Sequence, residues 1–375
     1  MRVLHIISGL NRGGAEIALS RLLSVRPLII ENAVLSLSDS NAMTKCFSNI
    51  PLFVLNGKSK YSLPATFPHL LAAVRQFKPD IIQGWMYHGS LIASLTHMAA
   101  GQSRVIWNIR QSISPARLER FTTRVIIRML TRIPWHVDCI VYNSFVSAHQ
   151  HGDVGFTPTR QLVIPNGLDT EFYHFRQAAR TRVRRALHLP PGAFCFGYLA
   201  RYHPMKGHKI LLDAMRIVAQ SHPEAILLLA GFNINVDNNE LQSILNESGL
   251  LARVFLLDEI TDNNIIVDLL SSLDGYVSPS LIEGFPNNVL EAMSCGLPCV
   301  VTDAGDSARL LSDCGWVVPV DRPNLLASAM GQVINLSLEQ RKALGDRSRR
   351  RVQEHYSLTE MARAYAELYR NVCVS

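Results

Sequence analysis

The chain opens Met1-Arg-Val-Leu-His-Ile-Ile-Ser-Gly-Leu10, continues Asn11-Arg-Gly-Gly14, and then runs Ala15-Glu-Ile-Ala-Leu-Ser-Arg-Leu-Leu-Ser-Val25. The first block is an apolar run of strand length, the second a glycine-rich turn, and the third sets Ile17, Leu19, Leu22 and Leu23 at helical spacing. Further apolar runs at 33–37, 51–55, 80–83, 104–109, 139–143 and 161–164 alternate with helical stretches. That alternation marks a parallel sheet covered by helices. A second series begins at Ala193, with runs at 193–200, 225–231, 253–257, 275–278, 299–302 and 316–319. The expected architecture is α/β, two Rossmann-like doubly wound domains over residues 1–175 and 190–357, facing a central cleft. Residues 170–191, with Arg180, Arg182, Arg184, Arg185 and the pair Pro190-Pro191, read as the linker region.

Composition agrees with this and excludes other classes. At 375 residues the chain is long enough for two domains of roughly 150 residues each. A hydrophobic share of 48% and a charged share of 18% exclude a disordered or fibrous chain. No apolar run approaches the ~18 residues of a membrane-spanning helix, since the longest candidate is Ala225 to Phe232. The N-terminal run is too short for a signal-peptide core and lacks a small-residue cleavage site, so it is read as the first strand. Seven cysteines at irregular spacings, with no second pair to match Cys295 and Cys299, suggest free thiols in a reducing cytoplasm.

Charge is divided unevenly. Residues 1–185 hold 22 Lys and Arg against 9 Asp and Glu, while residues 186–375 hold 15 against 21. A basic half implies an anionic partner: nucleic acid, a membrane surface or a phosphorylated substrate. No recognisable nucleic-acid-binding module is present, which disfavours the first.

In doubly wound sheets ligands bind beyond the carboxyl ends of the strands, and three post-strand segments carry suitable chemistry. Glu283-Gly-Phe285-Pro286-Asn287-Asn288-Val-Leu-Glu291 places two carboxylates eight positions apart, the first in a loop and the second on the helix that follows. Pro286 suits the first turn of that helix, leaving backbone N–H groups of Phe285, Asn287 and Asn288 for a diphosphate. Arg201-Tyr-His-Pro-Met-Lys206-Gly207 follows another strand and offers a forked and a point cation five residues apart. Gly13-Gly14 opens the first helix and lacks the spacing of a dinucleotide fingerprint. Each segment alone is a common feature of helix entries, turns and solvated surfaces; their conjunction is the informative part.

On these segments the chain resembles glycosyltransferase family 4, the retaining glycosyltransferases of the GT-B fold. The resemblance covers nearly the whole chain: Gly-Gly-Ala-Glu at 13–16, Ile-Pro-Asn-Gly-Leu-Asp at 164–169, Leu-Ala-Arg at 199–201 with Lys206-Gly207, and Glu283 through Asp303. It implies that the second domain binds a nucleotide sugar, with UDP the expected nucleotide, and that the C-terminal helix at 358–373 packs back on the first domain. Glu283 would hold donor-sugar hydroxyls, Glu291 the ribose, and Arg201 and Lys206 the diphosphate. An Asp-x-Asp loop is absent, so neither a metal nor another cofactor is expected.

The chain departs from the family in two places. Many relatives place a His after the strand that here reads Val105-Ile-Trp-Asn-Ile-Arg110, and Arg110 stands near that place. Leu256-Leu-Asp258 replaces a frequent post-strand glycine in the loop expected to meet the base. Gln83-Gly-Trp-Met-Tyr-His88-Gly89, with Trp107-Asn-Ile-Arg110, is similar to the branch that builds bacterial lipopolysaccharide, capsule and other lipid-linked glycans. His88 and Arg110 are candidates to touch donor sugar or acceptor; a histidine satisfied within its own loop is the alternative.

Arg117, Arg120, Arg124, Arg128 and Arg132 recur every three or four residues, with Leu118, Val125, Ile126, Met129 and Ile133 mostly opposite. Such a helix either lies on an anionic bilayer or turns its Arg face to water. The first option gives a peripheral protein on the inner face of the cytoplasmic membrane, with a glycan or polyprenyl-diphosphate-linked acceptor. The competing functions are a GT-B nucleotide-sugar epimerase and a non-catalytic partner subunit, though neither glutamate and neither cation is lost.

Overall fold

The computed structural model describes residues 1–11, 13–25, 30–38, 43–55, 63–101, 103–113, 121–133, 136–157 and 160–374. The chain divides into two compact units, Met1–Gly167 with Leu358–Ser375, and Leu168–Ser357.

Among the described residues the first unit is built on seven strands: β1 (Arg2–Ile7), β2 (Glu31–Ser36), β3 (Leu52–Val54), β4 (Ile81–Trp85), β5 (Arg104–Ile109), β6 (Cys139–Tyr142) and β7 (Gln161–Val163). They lie in the order β3-β2-β1-β4-β5-β6-β7 with every pair parallel. Between them run α1 (Gly14–Ser24), α2 (Leu63–Phe77), α3 (Met86–Ala100), α4 (Phe121–Leu130) and α5 (Phe145–Asp153). Both faces of the sheet are covered, which is why β1 after Arg2 and all of β4 are buried and mostly apolar, with His5 and Gln83 the polar exceptions. Val3, Ile7 and Trp85 pack into one layer, and Leu4, Ile6 and Ile82 into the other.

The second unit repeats the plan. Its strands are β8 (Phe194–Leu199), β9 (Ala225–Ala230), β10 (Val254–Leu256), β11 (Gly275–Ser278), β12 (Cys299–Thr302) and β13 (Gly315–Val318), in the order β10-β9-β8-β11-β12-β13 and all parallel. The helices are α6 (Gln177–Ala186), α7 (His208–Ser221), α8 (Asn239–Ser248), α9 (Asn263–Ser272), α10 (Asn287–Ser294), α11 (Ser307–Leu311), α12 (Pro323–Ile334) and α13 (Leu338–His355). The chain then returns to the first unit as α14 (Leu358–Val374), whose Tyr365, Leu368 and Tyr369 join the layer of Val3 and Trp85.

Three expectations need correction. The second unit opens at Leu168 rather than near residue 190, and the first ends at Gly167 rather than 175. The segment taken as a linker carries α6, whose Arg180 and Arg184 meet the two carboxylate oxygens of Asp274 at 2.6 and 3.1 Å. Arg176 and Arg182 likewise share Asp268. A run of arginines looks like a solvated connector when its acidic partners lie 86 to 94 residues away. The basic helix is also shorter than its arginine spacing suggests: α4 ends at Leu130, before Arg132. Arg117 and Arg120 lie outside the described residues.

All seven cysteines are unpaired, five of them buried; burial pushes the Cys139 and Cys295 thiols up to about 12. Among the described residues no helix is long and apolar enough to cross a membrane.

Candidate active site

A doubly wound sheet has one place where strand order reverses, and the loops leaving the two strands there diverge to opposite faces and open a crevice. In the second unit that place lies between β8 and β11. The loop after β8 carries Arg201 and a single 3-10 turn, Pro204–Lys206. The loop after β11 carries Ser280 and Glu283 and leads into α10. The two segments singled out by their chemistry therefore leave neighbouring strands.

Their side chains meet. Lys206 Nζ lies 2.5 Å from Glu283 Oε1, and the Ser280 hydroxyl donates to the same oxygen at 2.8 Å. The pair is largely shielded, with side-chain exposures of 22% for Lys206 and 9% for Glu283. Gly207 bends the chain into α7 at φ +67°, and a Cβ there would stand 2.2 Å from the Pro279 carbonyl oxygen. Gly305, at φ +59°, packs against the Glu283 carbonyl, 2.5 Å from where its Cβ would be. The Lys206 and Glu283 loops are thus seated on backbone that tolerates no side chain at either point.

Arg201 is exposed just past β8. The strand end before it is fixed from both sides: the Leu199 N–H donates to the Tyr276 hydroxyl at 3.0 Å, and Asn288 Nδ2 donates to the Leu199 carbonyl at 3.1 Å. Burial first, and then the charges of Arg201 and Lys206, hold the His203 imidazole below its usual value. The fields of the two cations thus converge on this loop.

At α10 the details differ from expectation. Pro286 caps the helix instead of occupying its first turn. The Asn287 N–H is bonded back to the Phe285 carbonyl at 3.1 Å, which removes one of the three donors assigned to a diphosphate. Phe285 is buried, with its ring 5.9 Å from that of Tyr356. Glu291, in the second turn of α10, adds its charge to the burial that raises the Tyr276 phenol and Cys295 thiol.

The remaining candidates stand at carboxyl ends of strands in the first unit. Gly13 caps α1 and Gly14 opens it; the Glu16 carboxyl folds back over the cap, 2.5 Å from where a Gly13 Cβ would be, and burial raises its pKa. His88 is half-buried in the first turn of α3, just after a sharp strand-to-helix bend at Met86, φ +60°. Arg110 is 8% exposed. Its guanidinium is turned inward, donating to the Ile164 carbonyl at 3.1 Å, to the Tyr365 hydroxyl at 3.0 Å and to Asn166. The structure gives this arginine a scaffold's partners, tying β5 to α14 and to the loop after β7.

Sequence reasoning missed Ser280, Tyr276 and Gly305. Ser280 stands three residues before Glu283 and was within reach of a local reading, whereas the other two act through contacts that only the folded sheet creates. Among the described residues no group of three or more His, Cys, Asp and Glu side chains is placed to hold a metal ion.

Two parallel-sheet Rossmann-like units, with a cation and a carboxylate joined at a switch point, define a GT-B glycosyltransferase. Comparison with known proteins agrees: residues 34–172 match the family model Glycosyltransferase Family 4, and residues 179–351 match Glycosyl transferases group 1. The chain belongs to the family 4 glycosyltransferases and is a glycosyltransferase. It is 24% identical to the putative glycosyltransferase EpsF of Bacillus subtilis over 81% of this chain and 79% of that protein. With the lipopolysaccharide core biosynthesis mannosyltransferase LpsB of Rhizobium meliloti it shares 24% identity over 71% of this chain and 79% of the relative. Over 42% of this chain and 40% of the relative it is 28% identical to an Escherichia coli UDP-Gal:alpha-D-GlcNAc-diphosphoundecaprenol alpha-1,3-galactosyltransferase. In fold it superposes on Anabaena Alr3699/HepE in complex with UDP with a TM-score of 0.85 at 21% identity, covering 99% of this chain and 100% of that one.

Proposed function

We propose that the second unit binds a nucleotide sugar, with UDP as the nucleotide, and that the enzyme transfers a hexose or N-acetylhexosamine with retention, in α linkage, to a lipid-linked glycan acceptor during surface polysaccharide assembly. The observation that carries this reading is the Lys206–Glu283 pair at the β8/β11 switch point. A diphosphate needs a fixed cation where negative charge develops as it leaves, and a sugar needs acceptors for its hydroxyls. In this reading Lys206 with Arg201 supplies the first and Glu283 the second, while Glu291, on the adjoining helix, takes the ribose. The names of the Escherichia coli galactosyltransferase and of the HepE complex support UDP and a diphosphoundecaprenol acceptor.

In the proposed step the bond between the sugar C1 and the diphosphate oxygen breaks, and the acceptor oxygen bonds to C1 on the same face. The acceptor hydroxyl proton passes to the departing phosphate oxygen. Arg201 and Lys206 take the charge in this reading, so a metal ion has no assigned part. A long lipid tail cannot leave the bilayer cheaply, so the enzyme must come to its acceptor. Arg124 and Arg128 on α4, Arg132 just beyond it, and the exposed Phe121 and Met129 suit the headgroups of the inner leaflet.

The test is release of nucleoside diphosphate from UDP-glucose, UDP-galactose, UDP-N-acetylglucosamine and GDP-mannose, each with and without a polyprenyl-diphosphate-linked glycan and with and without chelator. Acceptor-dependent release from one UDP-sugar, insensitive to chelator, is expected. Release only from GDP-mannose, or loss in chelator restored by magnesium or manganese, would overturn the corresponding part.

A further inference from the structure

Tyr198 is wholly buried at the end of β8 and belongs to none of the segments assigned to the donor. Its hydroxyl lies 2.9 Å from the Lys206 carbonyl oxygen and 3.1 Å from Ser280 Oγ. Ser280 donates to Glu283 Oε1 at 2.8 Å, and Lys206 Nζ reaches that oxygen at 2.5 Å. The four residues close a ring: Tyr198, Ser280, the Glu283 carboxylate, the Lys206 ammonium, and back to Tyr198 through the Lys206 backbone. Thr302 braces it from β12, its hydroxyl donating to the Ser280 carbonyl at 2.5 Å.

Two hydroxyl protons serve three contacts in this ring. A carboxylate is the strongest acceptor present, so Ser280 gives its proton to Glu283. Tyr198 then gives its own either to the Lys206 carbonyl or to Ser280. Burial and the Glu283 charge both disfavour the phenolate, so that proton stays on Tyr198. When Lys206 turns from Glu283 toward a diphosphate, Ser280 and Tyr198 keep Glu283 and the Lys206 backbone where they were.

We propose that Tyr198 is a positioning residue of the donor site, acting through Ser280 and the Lys206 carbonyl to hold the diphosphate cation and the sugar carboxylate in one fixed relation. The proposal rests on the donor-site reading above. A displacement of about 1 Å at a reacting centre is enough to cost a large part of the rate, and the ring holds both groups from beneath.

The experiment compares Tyr198→Phe, Ser280→Ala, Ser280→Thr and the double variant Tyr198→Phe/Ser280→Ala with Lys206→Ala and Glu283→Gln, each confirmed folded by a cooperative melt. The reaction is release of nucleoside diphosphate from the same four nucleotide sugars with water as acceptor. Tyr198→Phe and Ser280→Ala are each expected to lower kcat about tenfold with donor KM changed less than threefold. The double variant should lose little more than either single one, and Ser280→Thr, which keeps the hydroxyl, should recover most of the rate. Phe and Ala variants that turn over like the parent while Lys206→Ala and Glu283→Gln lose at least tenfold would overturn the positioning role alone. Parent-like turnover in Lys206→Ala and Glu283→Gln would overturn the donor-site reading and this proposal with it.

Discussion

Lys206 and Glu283 are 77 residues apart in sequence, and their side chains meet at 2.5 Å. Each arrives on a loop leaving one of the two strands that flank the reversal of strand order. The side chains proposed for the diphosphate and for the sugar joined to it thus hold each other in a largely shielded pair. The pairing offsets part of the cost of keeping a cation and an anion partly out of water.

Replacing Lys206 by Ala removes the cation and leaves Glu283 without its charged partner. Turnover is expected to fall at least tenfold, equivalent to about 1.4 kcal/mol in the barrier. Steady-state kinetics on the preferred donor measures this, and full activity in the variant would exclude Lys206 from leaving-group stabilisation.

Gly207→Ala tests the seat of the same loop. The position has φ +67°, and the added methyl would meet the Pro279 carbonyl. Backbone strain of this kind costs about 1–3 kcal/mol before the clash is counted. A lower urea midpoint together with lost activity is expected, and a midpoint equal to the parent's would mean the loops are free to part.

Much of the fold was readable because both sheets are parallel and covered on both faces, so their strands appear as mostly apolar runs; β5, β11 and β12 have the bounds expected for them. The loops that carry Lys206 and Glu283 were legible because their chemistry is local. What was not legible depends on distant partners. Arg180 and Arg184 looked like linker charges because Asp274 lies some 90 residues away. Nothing near Arg110 in sequence announces Asn166 or Tyr365, the partners that its guanidinium meets. Met129 was placed on the apolar side of its helix, yet it is 50% exposed.

Acid should weaken the fold through three buried histidines. Burial, partly offset by hydrogen bonds, lowers His5, His151 and His208 to about 4 each. An unfolded chain takes up protons at these positions below about pH 6.5, where the folded one does not. Stability is therefore full above that pH and falls as pH drops toward 4, by about 1.4 kcal/mol per pH unit for each histidine. Urea midpoints at pH 7, 6 and 5 report it, and a midpoint that holds steady or rises on acidification would contradict buried neutral rings.

Membrane docking is testable with Arg124, Arg128 and Arg132 changed to Gln. Each cation near an anionic surface contributes about 1 kcal/mol, screened over roughly 8 Å at physiological salt. Co-sedimentation of the parent with anionic vesicles should fall in the variant and in high salt, with neutral vesicles binding neither. Equal binding of parent and variant would leave α4 as ordinary surface.

Calorimetric titration of UDP and of GDP into the parent and into Lys206→Ala and Arg201→Ala bears most directly on the site between β8 and β11, because it needs neither acceptor nor turnover. Saturable binding of UDP to the parent, weakened at least tenfold in each variant, is the expected result. Equal affinity in all three proteins would place the diphosphate elsewhere, and the assignment of Lys206 and Arg201 to the donor would be wrong.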